Sequence, residues 1–142
     1  MAHPEITFGG DAEFLRAFDS AVVAAGGRRR CSPTTLVGGW REFVRECEDG
    51  YLDDIEEFHF DLSVRGLIEK LRRDPELLRF RELDWVWAEI SAVDVRYRAL
   101  LVPKGGTYPQ SWWKAGIPRK AGPELAAEFL TLYGVRVEVV DR

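Results

Sequence analysis

Glu56 and His59 stand three residues apart, the spacing that puts a carboxylate and an imidazole on one helix face, as carboxylate-bridged metal sites on helices require. A complete site of that kind takes further carboxylates from other helices, and the second histidine, His3, falls in an expected N-terminal tail. Asp53 and Glu57 reach the same general face and suit a hard cation. The competing reading is an imidazole hydrogen-bonded to a neighbouring carboxylate or facing water, and no metal ligand or cofactor is assigned. Ser63 follows His59 by four residues, yet no glycine-flanked nucleophile turn surrounds it. Cys47 lies on an apolar stripe and reads as an inert buried thiol, whereas Cys31 follows Arg28, Arg29 and Arg30, whose charge favours thiolate. Lys104-Gly105-Gly106-Thr107 lacks the spacing of a phosphate-binding P-loop. No catalytic residue is assigned, and the chain is expected not to be an enzyme.

Charge is the stronger signal. Residues 41 to 61 hold nine acids (Glu42, Glu46, Glu48, Asp49, Asp53, Asp54, Glu56, Glu57, Asp61) against Arg41 and Arg45, a local charge of 2 − 9 = −7. The whole chain carries −4, so the remainder carries +3. Such a field steers a basic partner and repels a phosphate backbone, which argues against direct nucleic-acid binding. Solvated helix faces are also ordinarily rich in carboxylates. Trp112 and Trp113 are adjacent and point different ways, so one is expected inside and the other exposed beside Tyr108 and Lys114, where an aromatic ring can anchor a partner. The expected partner-binding set is therefore Asp53, Asp54, Glu56, Glu57, Asp61, Tyr108, Trp112 and Trp113. Whether Arg28, Arg29 and Arg30 bind an anionic partner or neutralise the acidic helices stays open.

At 142 residues with 46% hydrophobic content, the chain can bury a core in one domain, residues 1–142, with residues 1–10 flexible apart from a short edge strand at Ile6 to Phe8. Two cysteines outside any close pair fit a reducing compartment. No run approaches the length of a membrane span, and the N-terminus lacks the pattern of a signal peptide, so a cytoplasmic protein with no membrane partner is expected.

The elements that carry these residues are mostly helical. Asp11 caps a helix with Phe14, Leu15, Phe18 and Val22 on one face, ended by Gly26-Gly27. Ser32-Pro33 opens a second, although Gly38-Gly39 suggests a start nearer Trp40. Trp40, Phe43, Val44 and Cys47 recur at helical spacing, and after Gly50 so do Tyr51, Ile55, Phe58, Leu62 and Leu71. That helix runs unbroken to about Arg72 or bends near Asp61 to Ser63, with Arg65 pairing back to Asp61. Asp74-Pro75 starts another segment, and Leu83, Val86, Trp87, Ile90 and Val93 keep the helical period, with Trp85 at the flank. From Val95 to Leu101 alternation predicts a strand, and Val135, Val137 and Val139 predict a second. Between them Gly122-Pro123 opens a helix with Leu125, Phe129, Leu132 and Tyr133 inward. The fold class is α+β: a mainly helical single domain with a small C-terminal sheet.

Trp40, Phe43-Val44, Glu48, Gly50-Tyr51, Glu57, Asp61-Leu62, Arg65, Trp112-Trp113 and Pro118 together resemble small bacterial immunity proteins of contact-dependent inhibition and other polymorphic toxin systems, over roughly residues 36 to 140. The resemblance implies a protein that binds and neutralises a cognate toxin domain, often a nuclease, in the cytoplasm. A basic protein toxin is then the expected partner. The alternatives are a regulatory or structural protein-binding subunit, and a metal-dependent enzyme built on Glu56 and His59.

Overall fold

The computed structural model describes residues 12–29 and 31–141. The N-terminal tail with His3, the strand at Ile6 to Phe8, the Asp11 cap and Arg30 lie outside the described residues. The helices are α1 (Ala12–Ala24), α2 (Pro33–Asp49), α3 (Ile55–Arg72), the single turn α4 (Pro75–Leu78), α5 (Asp84–Arg98) and α6 (Pro123–Tyr133). Four short strands follow α5: β1 (Leu101–Pro103), β2 (Gly116–Pro118), β3 (Lys120–Ala121) and β4 (Glu138–Val139). The class is mainly helical α+β, as the periodicity predicts.

Local chemistry accounts for the helix ends. Ser32 accepts the N–H of Thr35 with Pro33 at the first helical position, so α2 starts there and runs through Gly38-Gly39, earlier than the glycine pair suggests. Asp54 accepts the N–H of Glu57, so α3 begins at Ile55 and continues without a bend to Arg72. Between them Gly50 sits at φ 98°, where a Cβ would come within 2.8 Å of the Val140 side chain, so that turn needs glycine on both counts. Ser63 is interior to α3, its hydroxyl donating to the Phe60 carbonyl.

Two expectations about the sheet give way. Val95 to Leu101 is not a strand: α5 extends to Arg98 because Ile90, Val93, Asp94 and Tyr97, all buried, follow the helical period that Asp94 continues with a polar group. Nor do the expected strands pair with each other. Leu101 to Pro103 is antiparallel to Gly116 to Pro118, while Lys120 and Ala121 lie parallel to Glu138 and Val139, which makes two separate two-stranded ladders. Leu15 and Leu132, expected inside, are exposed, at the margins of stripes led by Phe14 and Phe18 and by Leu125 and Phe129.

The interior is organised around Asp94 of α5. Its Oδ1 accepts Trp40 Nε1–H from α2 at 3.0 Å and Arg65 Nε–H from α3 at 2.9 Å, and its Oδ2 accepts Arg65 Nη2–H at 2.9 Å. Arg65 therefore does not pair with Asp61: its Nη1 donates to Glu69 at 3.0 Å, and Asp61 instead accepts the Tyr51 hydroxyl at 2.6 Å. The Arg65 guanidinium lies 4.6 Å from the centroid of Trp113, which closes over it. Around this polar centre Trp40, Phe43, Tyr51, Phe58, Tyr97 and Phe129 form a chain of aromatic contacts.

Replacing Asp94 by Ala leaves the buried Arg65 charge with Glu69 alone and orphans the Trp40 N–H, and it is expected to lower unfolding free energy by about 3–5 kcal/mol. Urea denaturation by circular dichroism measures it, and a loss below about 1 kcal/mol would mean that the pair does not hold the three helices together. Acidification should weaken the same network. Burial opposes ionisation of Glu69, but hydrogen bonds from Arg65 and Arg73 outweigh it and hold the carboxyl below the usual range. A carboxyl depressed on folding stabilises above its unfolded pKa, and that contribution is lost as pH falls through the folded value.

Candidate functional site

A groove of 1410 Å³ runs along the outward side of α3. One flank faces α2 and the end of α1: a Cβ on Gly39 would lie 3.9 Å from Val64, and one on Gly27 would meet Leu67 at 3.1 Å. Phe60, Val64 and Leu67 line this flank at helical spacing, with Glu42 and Glu46 across it on α2. Phe60 is 67% exposed. Glu56 and Glu57 precede it by one turn and Asp61 follows it, so the ring sits among carboxylates.

The acidic stretch does not act as one uniform field. Glu42 and Asp49 pair with Arg45, and Glu48 takes two hydrogen bonds from Arg96, which hold its carboxyl below the usual range. Asp54 caps α3 and Asp53 accepts the Asp54 N–H at 2.9 Å. Arg41 turns away to Glu89 on α5. Glu56 and Glu57 are exposed and make no ion pair with the described residues. Asp53, Asp54 and Asp61 make none either, but each accepts a hydrogen bond, so Glu56 and Glu57 are the two expected acids whose carboxylates are unengaged among the described residues.

The expected aromatic anchors fall elsewhere. Trp113 is 3% exposed against Arg65, and so cannot be a surface anchor. Trp112 is half-buried beneath the Arg98 guanidinium, 3.9 Å from its ring centroid, with Trp113 edge-on to it. Both rings are occupied in closing the Arg65–Asp94 pair. Tyr108 lies on the second flank of α3, the one that carries His59, Leu62 and Gly66 and faces α6 and the segment after β1. Phe60 is absent from the sequence-derived set, although the signal is present: Phe58 and Phe60 are two residues apart on a helix, so only one can face the core.

The second flank is cationic. The Lys104 ammonium lies 4.6 Å from the centroid of the Tyr133 ring and 5.3 Å from that of Tyr108. The Tyr133 hydroxyl is 3.4 Å from His59 Nε2, so His59 is partnered by a phenol and not by Glu56. Burial and the nearby Lys104 push His59 below its usual pKa, and burial and Lys114 do the same to Lys104. Burial and the neighbouring Tyr108 raise Tyr133. Among the described residues no three His, Cys, Asp or Glu side chains converge on a metal position.

Cys47 is buried as its place on the apolar stripe predicts, whereas Cys31 differs from the charge-based reading. Cys31 is half-buried, and burial pushes its pKa up. Cys47 is fully buried and raised further, by burial first and then by Glu46, Asp61 and Glu48. Under native conditions a thiol reagent at about pH 8 should modify Cys31 slowly and Cys47 only after unfolding, as counted by intact mass; rapid double modification of the native protein would contradict the packing of α2.

Among the described residues no helix is long and apolar enough to cross a membrane. Compared with protein-family models, with curated proteins and with solved structures, the chain has no match.

Proposed function

We propose that this protein is a non-enzymatic inhibitor of the immunity type, which binds a basic toxin domain on the α2-facing flank of α3 and acts in the cytoplasm. The observation that carries the reading is Phe60: a ring 67% exposed, in a groove lined by Val64, Leu67, Glu42 and Glu46, with Glu56 and Glu57 one turn before it on α3. Binding interfaces concentrate affinity in a central aromatic group that becomes fully desolvated inside a polar rim. A carboxylate rim selects a partner rich in Lys and Arg and speeds its approach. Nucleases present such a surface to the phosphate backbone, and carboxylates can occupy the place of those phosphates. The resemblance of the sequence to immunity proteins supplies the toxin as partner class. The second reading, a regulatory or structural subunit, uses the same flank with a basic partner that is not toxic.

Capture from the source cell, identification of the retained protein and its expression alone in a susceptible host separate the two readings. A toxin arrests growth, and co-expression of this chain restores it. Phe60→Ser is expected to weaken the complex by about 2 kcal/mol, roughly thirty-fold, chiefly through faster dissociation, while leaving the fold intact because the ring is outside the core. Glu56→Gln with Glu57→Gln is expected to slow association at low salt and to flatten its salt dependence. A partner held equally well by both variants would move the interface off this flank.

A further inference from the structure

We propose that the second flank of α3, between His59, Lys104, Tyr108, Lys114 and Tyr133, is a binding site for a phosphate-type dianion. It is independent of the acidic flank and of the toxin reading.

Two cations on this flank have no internal counterpart. Among the described residues neither Lys104 nor Lys114 has a carboxylate within ion-pair distance, whereas arginines elsewhere in the fold, among them Arg41, Arg45, Arg65, Arg73, Arg79 and Arg96, do have one. Lys104 is also only partly exposed and held between two tyrosine rings, an arrangement that limits its hydration without cancelling its charge. Of the carboxylates lining the same groove, Glu42 and Glu46 stand on the α2 flank and Asp61 is taken by the Tyr51 hydroxyl.

The loop that carries these groups is held in place. Gly105 and Gly106 have φ of 92° and 89°, and a Cβ on Gly106 would come within 3.0 Å of the Tyr108 ring, so the turn folds Tyr108 back beside Lys104. Lys104 N–H donates to the Ala115 carbonyl at 3.4 Å, which brings the lysine and the Trp112 to Lys114 turn onto one edge. From α3 comes His59, and from α6 comes the Tyr133 hydroxyl against it.

The donor set defines the ligand. Two ammonium groups, an imidazole and two phenols offer many donors and a charge that one carboxylate would neutralise only in part, whereas a phosphate dianion has acceptor oxygens enough for all of them. Burial first, and then the neighbouring Lys104 and Lys114 charges, lower the pKa values of His59 and Lys104, and a bound dianion would oppose the charge contribution.

Titration with inorganic pyrophosphate and with inorganic phosphate at constant ionic strength, by calorimetry and by NMR of the imidazoles, tests the site. Saturable binding is expected, at least about tenfold weaker in Lys104→Gln and in Lys114→Gln, and unchanged in Lys120→Gln, which lies outside the groove. Circular dichroism checks each fold, and the exposed Lys114 gives the comparison even if Lys104→Gln is unstable. On saturation the His59 pKa should rise, despite its other neighbours Glu56 on α3 and Tyr133 on α6; His59→Gln assigns the resonance against His3. Absence of saturable binding, equal weakening by Lys120→Gln, or a His59 pKa that does not move would each overturn the proposal.

Discussion

One carboxylate holds three helices in register. Asp94 is on α5, the Trp40 indole that donates to it is on α2, and the Arg65 fork that grips both its oxygens is on α3. A buried guanidinium costs several kcal/mol to desolvate, so the cost is offset only when every donor is met with good geometry. In this core burial lowers the tendency of Arg65 to stay charged, and the carboxylates of Asp94 and Glu69 more than restore it. An apolar substitute of equal volume would pack as well without fixing which helix turn faces which. The polar pair sets the rotation of α3 about its own axis, and that rotation decides which of its residues meet the core and which meet solvent.

The arrangement of α3 follows from that constraint. With Arg65 inward, Phe58, Leu62, Ile68 and Leu71 share the buried side. Phe60, Val64 and Leu67 are then turned toward α2 and α1, and His59 toward α6 and the segment after β1. One helix thus separates a flank rimmed by carboxylates from a flank lined by lysines and tyrosines. The average charge of the chain, −4, says little about either. The strongly acidic stretch is partly neutralised by Arg45 and Arg96, and the cationic flank draws on residues 59 to 133.

Helix placement was legible in the sequence wherever capping chemistry and apolar period agreed. Ser32-Pro33, Asp74-Pro75 and Gly122-Pro123 all mark real starts. The miss at Val95 to Leu101 has a physical cause. Alternating apolar and basic residues match a strand locally, but the buried polar Asp94 and the Tyr97 one turn later prolong the helical face, and no periodicity that counts only apolar residues registers a buried aspartate. The short strands were equally hidden, since ladders of two or three residues owe their existence to tertiary contacts such as Gly122 N–H donating to the Tyr51 carbonyl.

The candidate site was legible in charge and obscured in geometry. Counting acids picks out Glu56 and Glu57 but cannot separate them from Asp54, whose carboxylate is engaged in capping, or from Asp61, which holds Tyr51. Tryptophans draw attention as partner anchors, yet the residue that covers a buried arginine must itself be large, flat and rich in π electrons, and Trp113 meets that demand from inside. The exposed ring is instead Phe60, which gains nothing for the fold where it stands: its neighbour Phe58 contacts Phe43, Tyr51 and Phe129, while Phe60 projects into the groove. An apolar ring left in water beside carboxylates adds little to the packing of the chain, and it is that exposure, at the centre of the groove, on which the binding proposal rests.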